Sequence, residues 1–275
     1  MGKELDVAKK AALAGAREAM RYYRKLRAGD IRLKEPGDVV TAADVAAERA
    51  IISVIRKHFP HDGIIGEESG FSKTSTKSSG RFWAVDPIDG TTNFMKGLDV
   101  FAVCVAAFRE HEPIAGAVYL PVQKKMYAAE KGRGASCNGK PIAVSREQKL
   151  SESFLFLSVR FSDLRRNAAV LAPRMTRLIL SVSNARLFNS WAADLCLVAE
   201  GRADGAVSTL VKLWDFAAAA LIVEEAGGTV TDDEGRGWHG YLSPEKKEVR
   251  LAASNGKIHK KLLDTIAKAG GDNRP

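Results

Sequence analysis

The chain has 275 residues, of which 45% are hydrophobic and 27% charged, and 42 Lys plus Arg against 33 Asp plus Glu give a net charge of +9. These are globular proportions, so wholesale disorder is excluded, and at about 100–200 residues per domain the length fits one large domain or two closely joined halves. The longest apolar run, Phe216 to Val223, meets Glu224 and Glu225 at once and is too short for a membrane span.

Residues 4–27 carry a helical apolar period through Leu5, Ala8, Ala12, Ala16, Met20 and Tyr23, closed by Gly29-Asp30. Pro36-Gly37 reads as a turn. Thr41 with Asp44 three residues on resembles a capping pair that opens a second helix through Ile55, ending before Pro60. The Ser-rich segment 69–80 reads as a surface loop. Phe82 to Val85 and Phe101 to Phe108 read as buried strands, and Pro113 to Tyr119 with Lys125 to Glu130 as a hairpin. Gly132, Gly134 and Asn138-Gly139 mark turns in the stretch after the hairpin.

Beyond about residue 150 strands and helices alternate. Strands are expected at 154–159, 186–188, 206–208 and 250–253, and helices at 163–180, 190–200, 215–226 and 256–269. Glu224 and Glu225 read as ordinary charges on a helix surface. The alternation excludes an all-helical or all-β fold and fits an α+β half (1–145) followed by an α/β half (146–275).

Cys104, Cys137 and Cys196 lack metal-ligand spacing and read as packing thiols. No signal-peptide core follows Met1, so a cytoplasmic location is expected. The basic excess on the first helix reads as a solvated face, and the absence of basic-aromatic interleaving argues against nucleic acid as the main partner. The five histidines, His58, His61, His111, His239 and His259, stand in polar contexts and suggest no catalytic role.

The chemistry lies in the acidic groups: Asp44, Glu67-Glu68, Asp86 with Asp89, and Asp215. Glu67 follows apolar Ile64-Ile65, Asp86 follows Trp83-Ala84-Val85, and Asp215 opens an apolar helix. Carboxylates at such ends point into a common crevice, and converging carboxylates repel unless a hard cation such as Mg²⁺ intervenes. Within Asp86-Pro87-Ile88-Asp89-Gly90-Thr91-Thr92-Asn93-Phe94, Pro87 stiffens the turn between the two aspartates and Gly90 permits close backbone approach. Thr91-Thr92 opens a helical turn whose free N–H groups suit a phosphate.

This nonapeptide resembles the signature of the inositol monophosphatase family. So do Gly66-Glu67-Glu68-Ser69, the stretch Asp38 to Asp44, and the run from Trp214-Asp215 through Gly227-Gly228, in family order over nearly the whole chain. The resemblance implies a layered α-β-α-β-α sandwich of the inositol monophosphatase / fructose-1,6-bisphosphatase type, assembled as a homodimer. It implies Glu67, Asp86, Asp89, the Ile88 carbonyl and Asp215 as Mg²⁺ ligands, and Thr91 with Asp44, alongside Glu67, as the groups acting on the attacking water. Asp89, Gly90, Thr91, Thr92 and Asp215 would contact substrate, with Asn189, Ser190, Trp191 and Ser208 on the leaving-group wall, although Trp191 reads equally as a core-packing residue. The implied activity is Mg²⁺-dependent, lithium-sensitive hydrolysis of a small phosphorylated polyol or sugar by direct attack of water, without a phosphoenzyme.

Two departures fall on the leaving-group side. Family members commonly carry Gly-Ser/Thr-Ala where this chain has Asn189-Ser190-Trp191, and inositol-specific members often carry Glu where it has Ser208. Fructose-1,6-bisphosphatase is therefore the alternative on the same scaffold, with histidinol-phosphatase behind it, although Thr92-Asn93-Phe94 matches the inositol-phosphatase branch better than the histidinol-phosphate or 3′-phosphoadenosine-phosphate branches. A non-catalytic binding protein would lack a metal ligand or the Thr/Asp pair, and none is missing.

Overall fold

The computed structural model describes residues 2–35, 38–72, 80–110, 112–241 and 248–267. The expected Pro36-Gly37 turn, most of the Ser-rich segment, His111 and the last residues of the final helix lie outside them. The first half runs α1 (Lys3–Tyr22), β1 (Ile31–Glu35), β2 (Asp38–Thr41), α2 (Ala42–His58), β3 (Gly63–Gly66), β4 (Gly70–Ser72), β5 (Arg81–Asp89) and α3 (Thr91–Met95). It continues through β6 (Ala102–Arg109), β7 (Glu112–Leu120), β8 (Lys125–Glu130), β9 (Ala135–Cys137) and β10 (Lys140–Pro141). The second half runs β11 (Phe154–Ser158), α4 (Phe161–Arg166), α5 (Ala168–Leu180), β12 (Asn184–Arg186), α6 (Trp191–Ala199) and β13 (Gly205–Ser208). It closes with β14 (Val211–Lys212), α7 (Leu213–Glu225), β15 (Thr229–Asp232), β16 (Glu248–Val249), β17 (Leu251–Ser254) and α8 (His259–Ala267).

An eight-stranded sheet has the order β10-β9-β8-β7-β6-β5-β3-β4, and only its β3–β5 pair is parallel. A five-stranded sheet, β12-β11-β13-β17-β15, is parallel on one side and antiparallel on the other. Three apolar clusters glue five layers. Helices α1 and α2 bury Ala8, Ala12 and Ile51 against Trp83, Val103 and Val105 of the first sheet. Helices α6 and α7 fill the space between the sheets, with Trp191, Cys196, Phe216 and Ile222 fully enclosed. Helices α5 and α8 cover the outer face of the second sheet through Leu178, Leu262 and Ile266. The layers therefore stack as α-β-α-β-α. Helix α7 is apolar all round because both its faces meet a sheet.

Most elements fall where the periodicity puts them, with informative differences. The single helix expected at 163–180 is two, broken at Asn167, whose side chain donates to Asp163 Oδ1 at 2.6 Å. The strand expected at 186–188 lies at Asn184–Arg186, and β15, a four-residue edge strand, carried too short a pattern to stand out. Glu224 and Glu225 are structural clasps, not idle surface charges. Glu224 accepts from Trp238 Nε1 at 2.9 Å, and the two oxygens of Glu225 accept from Gly132 N and Gly134 N, each at 2.7 Å. All three cysteines are buried and free. Among the described residues no helix is long and apolar enough to cross a membrane.

Candidate active site

The parallel strands β3 and β5 end side by side, so Glu67 and the Asp86–Asp89 segment emerge at one edge of the larger sheet. Each carboxylate is fixed by its own local device. Asp86 Oδ1 accepts from Ile88 N at 2.9 Å, an Asx turn made across Pro87, and the β5–β6 register shifts between Asp86 and Asp89. Asp89 is aimed at the start of α6: its Oδ2 accepts from Ser190 Oγ at 2.6 Å and Ala192 N at 3.0 Å, and its Oδ1 from Trp191 N at 3.2 Å. The positive end of α6 favours the anionic form. Asp215 sits in the first turn of α7 and accepts from Lys212 N at 2.8 Å. The Glu67 loop is held by Glu48 of α2, a buried side chain that accepts from Glu68 N at 2.9 Å and Ser69 N at 2.8 Å. A Cβ at Gly66 would stand 2.6 Å from the Glu48 carboxyl group, so glycine there lets the carboxylate pass.

These devices bring carboxylate oxygens of Glu67, Asp86 and Asp215 within 4.8 Å of one another. Asp89 lies beside them, with its oxygens engaged by α6. Burial, and then the neighbouring charges of Glu67, Asp215 and Asp89, push the Asp86 carboxyl well above the carboxylate range. Burial also lifts Asp89 to about 7 against the pull of its bonds to Ser190, Ala192 and Trp191. Burial and the Glu67 charge lift Asp215 to about 8. Like charges gathered in a low-dielectric site lose their protons readily only when a cation takes their place. The donors are all oxygen, which suits a hard divalent ion.

Next to the carboxylates, Gly90 takes φ 90°, and a Cβ there would meet Ser190 Cβ at 3.1 Å and the Val100 carbonyl at 3.3 Å. The chain turns through it into α3. Thr91 Oγ1 lies 3.3 Å from Asp44 Oδ1 and 3.0 Å from the Ile88 carbonyl. Asp44 is fully buried, and its Oδ2 accepts from Thr41 N at 2.8 Å and Thr41 Oγ1 at 2.6 Å. It thus both completes the α2 capping box with the N-cap residue Thr41 and partners Thr91, with one oxygen for each task. Asn93 donates to the Val100 and Phe188 carbonyls at 2.8 and 2.7 Å, tying α3 to the segment before α6.

All of this opens into a cleft of about 800 Å³ lined by Glu67, Asp86, Ile88, Asp89, Gly90, Thr91, Thr92 and Asp215 on its floor. Val159, Arg160, Phe161, Arg165, Arg166, Leu187, Phe188, Asn189 and Lys212 line the rest of it as its wall. Three residues expected on that wall are elsewhere. Ser190 is buried with its hydroxyl on Asp89, so it supports a carboxylate. The Trp191 ring is packed in the core between the sheets, because α6 is enclosed on all sides and its first side chain points inward. Ser208 exchanges hydrogen bonds with the Leu251 backbone, accepting at 3.0 Å and donating at 3.4 Å, and faces away from the cleft. Asn189 does reach the cleft, in a left-handed turn at φ 54°, with its Oδ1 accepting from Val159 N at 2.8 Å. The sequence reading missed Glu48 and Asn93. Glu48 lies four residues after Asp44, on the same helix face, and that spacing was the available signal.

The inositol monophosphatase family model matches residues 2–270. A protein described as Nus factor SuhB from Pasteurella multocida is 38% identical, covering 97% of this chain and 96% of the relative. A fructose-1,6-bisphosphatase/inositol-1-monophosphatase from Aquifex aeolicus is 37% identical, covering 83% of this chain and 85% of the relative. Among solved structures, extragenic suppressor protein suhB from Bartonella henselae superposes with a TM-score of 0.86 at 32% identity, over 96% of this chain and 98% of that one.

Proposed function

Because the chain belongs to the inositol monophosphatase family, whose members are phosphoric monoester hydrolases, we propose that it is a Mg²⁺-dependent enzyme. Its reaction is hydrolysis of a phosphorylated polyol or sugar, myo-inositol monophosphate or a relative, to the alcohol and inorganic phosphate. The observation that carries this reading is the convergence of Glu67, Asp86 and Asp215 within 4.8 Å beside the turn at Gly90. Glu67, Asp86, Asp89, the Ile88 carbonyl and Asp215 are the groups that would hold Mg²⁺. When bound, Mg²⁺ supplies charge neutralisation at phosphoryl and leaving oxygens and makes water more acidic.

The remaining work falls to the chain. The backbone N–H groups at Gly90, Thr91 and Thr92 receive phosphoryl oxygens and fix the ester in line with the attacking water. Thr91 Oγ1 takes a proton from that water as its own passes to Asp44 Oδ1, 3.3 Å away, and the leaving alkoxide is protonated by solvent water. Asp44 keeps its second oxygen on Thr41 and so stays aimed. The floor aspartates would hold Mg²⁺ and are braced by backbone N–H groups, so none is placed as a covalent nucleophile and attack is by water directly. Fructose 1,6-bisphosphate is the second reading, favoured by Ser208 facing away from the leaving-group wall.

The test is phosphate release from inositol monophosphates, fructose 1,6-bisphosphate, histidinol phosphate and 3′-phosphoadenosine phosphate. Release with Mg²⁺, its loss in EDTA, and its loss in a folded Asp86→Asn variant support the reading; no release from any ester rejects it. Li⁺ inhibits by competing at the same carboxylates, and unchanged rates in high Li⁺ contradict that part. The protein acts as a cytoplasmic homodimer, which light scattering on the purified protein checks for its mass.

A further inference from the structure

Helix α4 lends Phe161, Ser162 and Asp163 to the lining of the cleft, yet it has little of its own to hold it there. With six residues it is too short to persist on local hydrogen bonds. Among the described residues none of its side chains belongs to an apolar cluster, and Phe161 is half exposed. Polar anchors therefore seat it. At its start Arg160 N donates to Thr209 Oγ1 at 2.9 Å, and the Arg160 side chain pairs with Glu248. At its end Asn167 donates to Asp163 Oδ1 at 2.6 Å.

A further anchor stands half made. Asp163 is buried, yet its Oδ2 has no hydrogen-bond partner, and neither has the enclosed Nε of Arg250. Arg250 Nη2 lies 3.9 Å from Asp163 Oδ2. That is about 1 Å longer than a charge-assisted hydrogen bond. A buried carboxylate oxygen and a buried guanidinium nitrogen, each unsatisfied, both gain when such a gap closes. The backbone at Arg250 is firmly mounted, because the next residue, Leu251, exchanges hydrogen bonds with Ser208 where β17 pairs with β13. Its side chain borders a cavity of about 20 Å³, room for a displacement the size of a water molecule. Arg250 is thus the post, and α4 is the element seated on it.

Resting on the phosphomonoesterase reading for its effect on turnover, we propose that Asp163 and Arg250 are a positioning pair: closing their ion pair seats α4 as the wall against which the leaving alcohol is held. A wall seated before the alcohol arrives has less freedom to lose on binding, so the pair lowers KM. It leaves the carboxylate floor and the attack on phosphorus unchanged.

The test uses Asp163→Asn, which keeps an acceptor for Asn167 and drops the charge, Arg250→Gln, and the two combined. Hydrogen exchange at residues 160–167 is read on the free protein and needs no turnover. Each single variant is expected to speed exchange there about tenfold, and the double variant no more than either. Unchanged exchange, or effects that multiply in the double variant, overturn the pair. Kinetics then use whichever phosphate ester is hydrolysed fastest. KM is expected to rise about tenfold in the variants at unchanged kcat, inhibition by inorganic phosphate to stay the same, and Arg250→Lys to recover part of the KM. A kcat loss, an equal weakening of phosphate, or no recovery with lysine overturns the positioning role. If the wild-type enzyme releases phosphate from no ester, the hydrolase reading fails, and the exchange measurement still decides whether the pair seats α4.

Discussion

The two sides of the cleft are built on opposite principles. The floor comes from the eight-stranded sheet and from α7. Its carboxylates are wholly or partly buried, and backbone N–H groups or a serine hydroxyl brace Asp86, Asp89 and Asp215 directly, while Glu48 braces the Glu67 loop. The wall comes from the connections around the five-stranded sheet. Arg165, Arg166, Phe161 and Leu187 stand on short elements and are exposed. Groups that act on a phosphoryl centre must be held within a fraction of an ångström, which demands buried, braced positions. Groups that select the alcohol can change without disturbing any core, so they sit on surface elements.

The contrast can be broken most severely at the floor. Asp215→Asn or Asp89→Asn is expected to lower turnover by about 10³-fold or more while circular dichroism stays native. Near-wild-type rates in either would remove the floor from the chemistry. Thr91→Ala is expected to cost about 10²-fold in kcat with little change in KM, because it disconnects the water from Asp44 but leaves the carboxylates in place. A pure KM effect would reassign Thr91 to binding.

Glu48→Gln tests whether the bracing matters as such. It leaves the Glu67 carboxylate intact and weakens its loop, so Mg²⁺ affinity should fall about 10-fold to 100-fold, with kcat largely recovered at saturating Mg²⁺. A kcat loss that excess Mg²⁺ cannot restore would mean that Glu48 does more than position the loop.

The smallest effect belongs to the five-stranded side, away from the cleft. His259 is buried between Ser254 Oγ and Thr231 Oγ1, each 2.9 Å from a ring nitrogen, and burial pushes its pKa below the ordinary 6.5. The unfolded chain therefore takes up a proton near 6.5 that the native state resists. Stability is complete above that pH and declines as pH falls through it. Between about pH 7.5 and about pH 5.5 the wild-type Tm should drop by a few degrees more than that of His259→Gln, with kcat at neutral pH unaffected. Parallel Tm curves would show that His259 does not titrate against folding.

Much of the floor was legible in the sequence because its information is local. The Asp86-to-Phe94 turn, the Thr41–Asp44 cap and the Trp214-Asp215 helix start each fix their own geometry within a few residues, and the structure reproduces each of those local forms. The wall was less legible. Ser190 and Trp191 stood next to a cleft residue in sequence, yet the helix they open is enclosed by two sheets, and that turns them inward. Ser208 looked like a wall residue until β17 paired with β13 and took its hydroxyl. Glu224 and Glu225 looked idle until a distant glycine turn and Trp238 came within reach of their oxygens.

The amino-acid sequence by itself determined the alternation of strands and helices, the apolar stripe of α1, the metal-type carboxylates and the glycine turn beside them, since these depend on residue type and short spacing. Only the tertiary structure decided that carboxylates from positions 67, 86 and 215 share one 4.8 Å neighbourhood, that Glu48 braces the Glu67 loop, and that Arg165 and Arg166 line the same cleft. Those relations join segments far apart along the chain, and packing of the layers against one another is what brings them together.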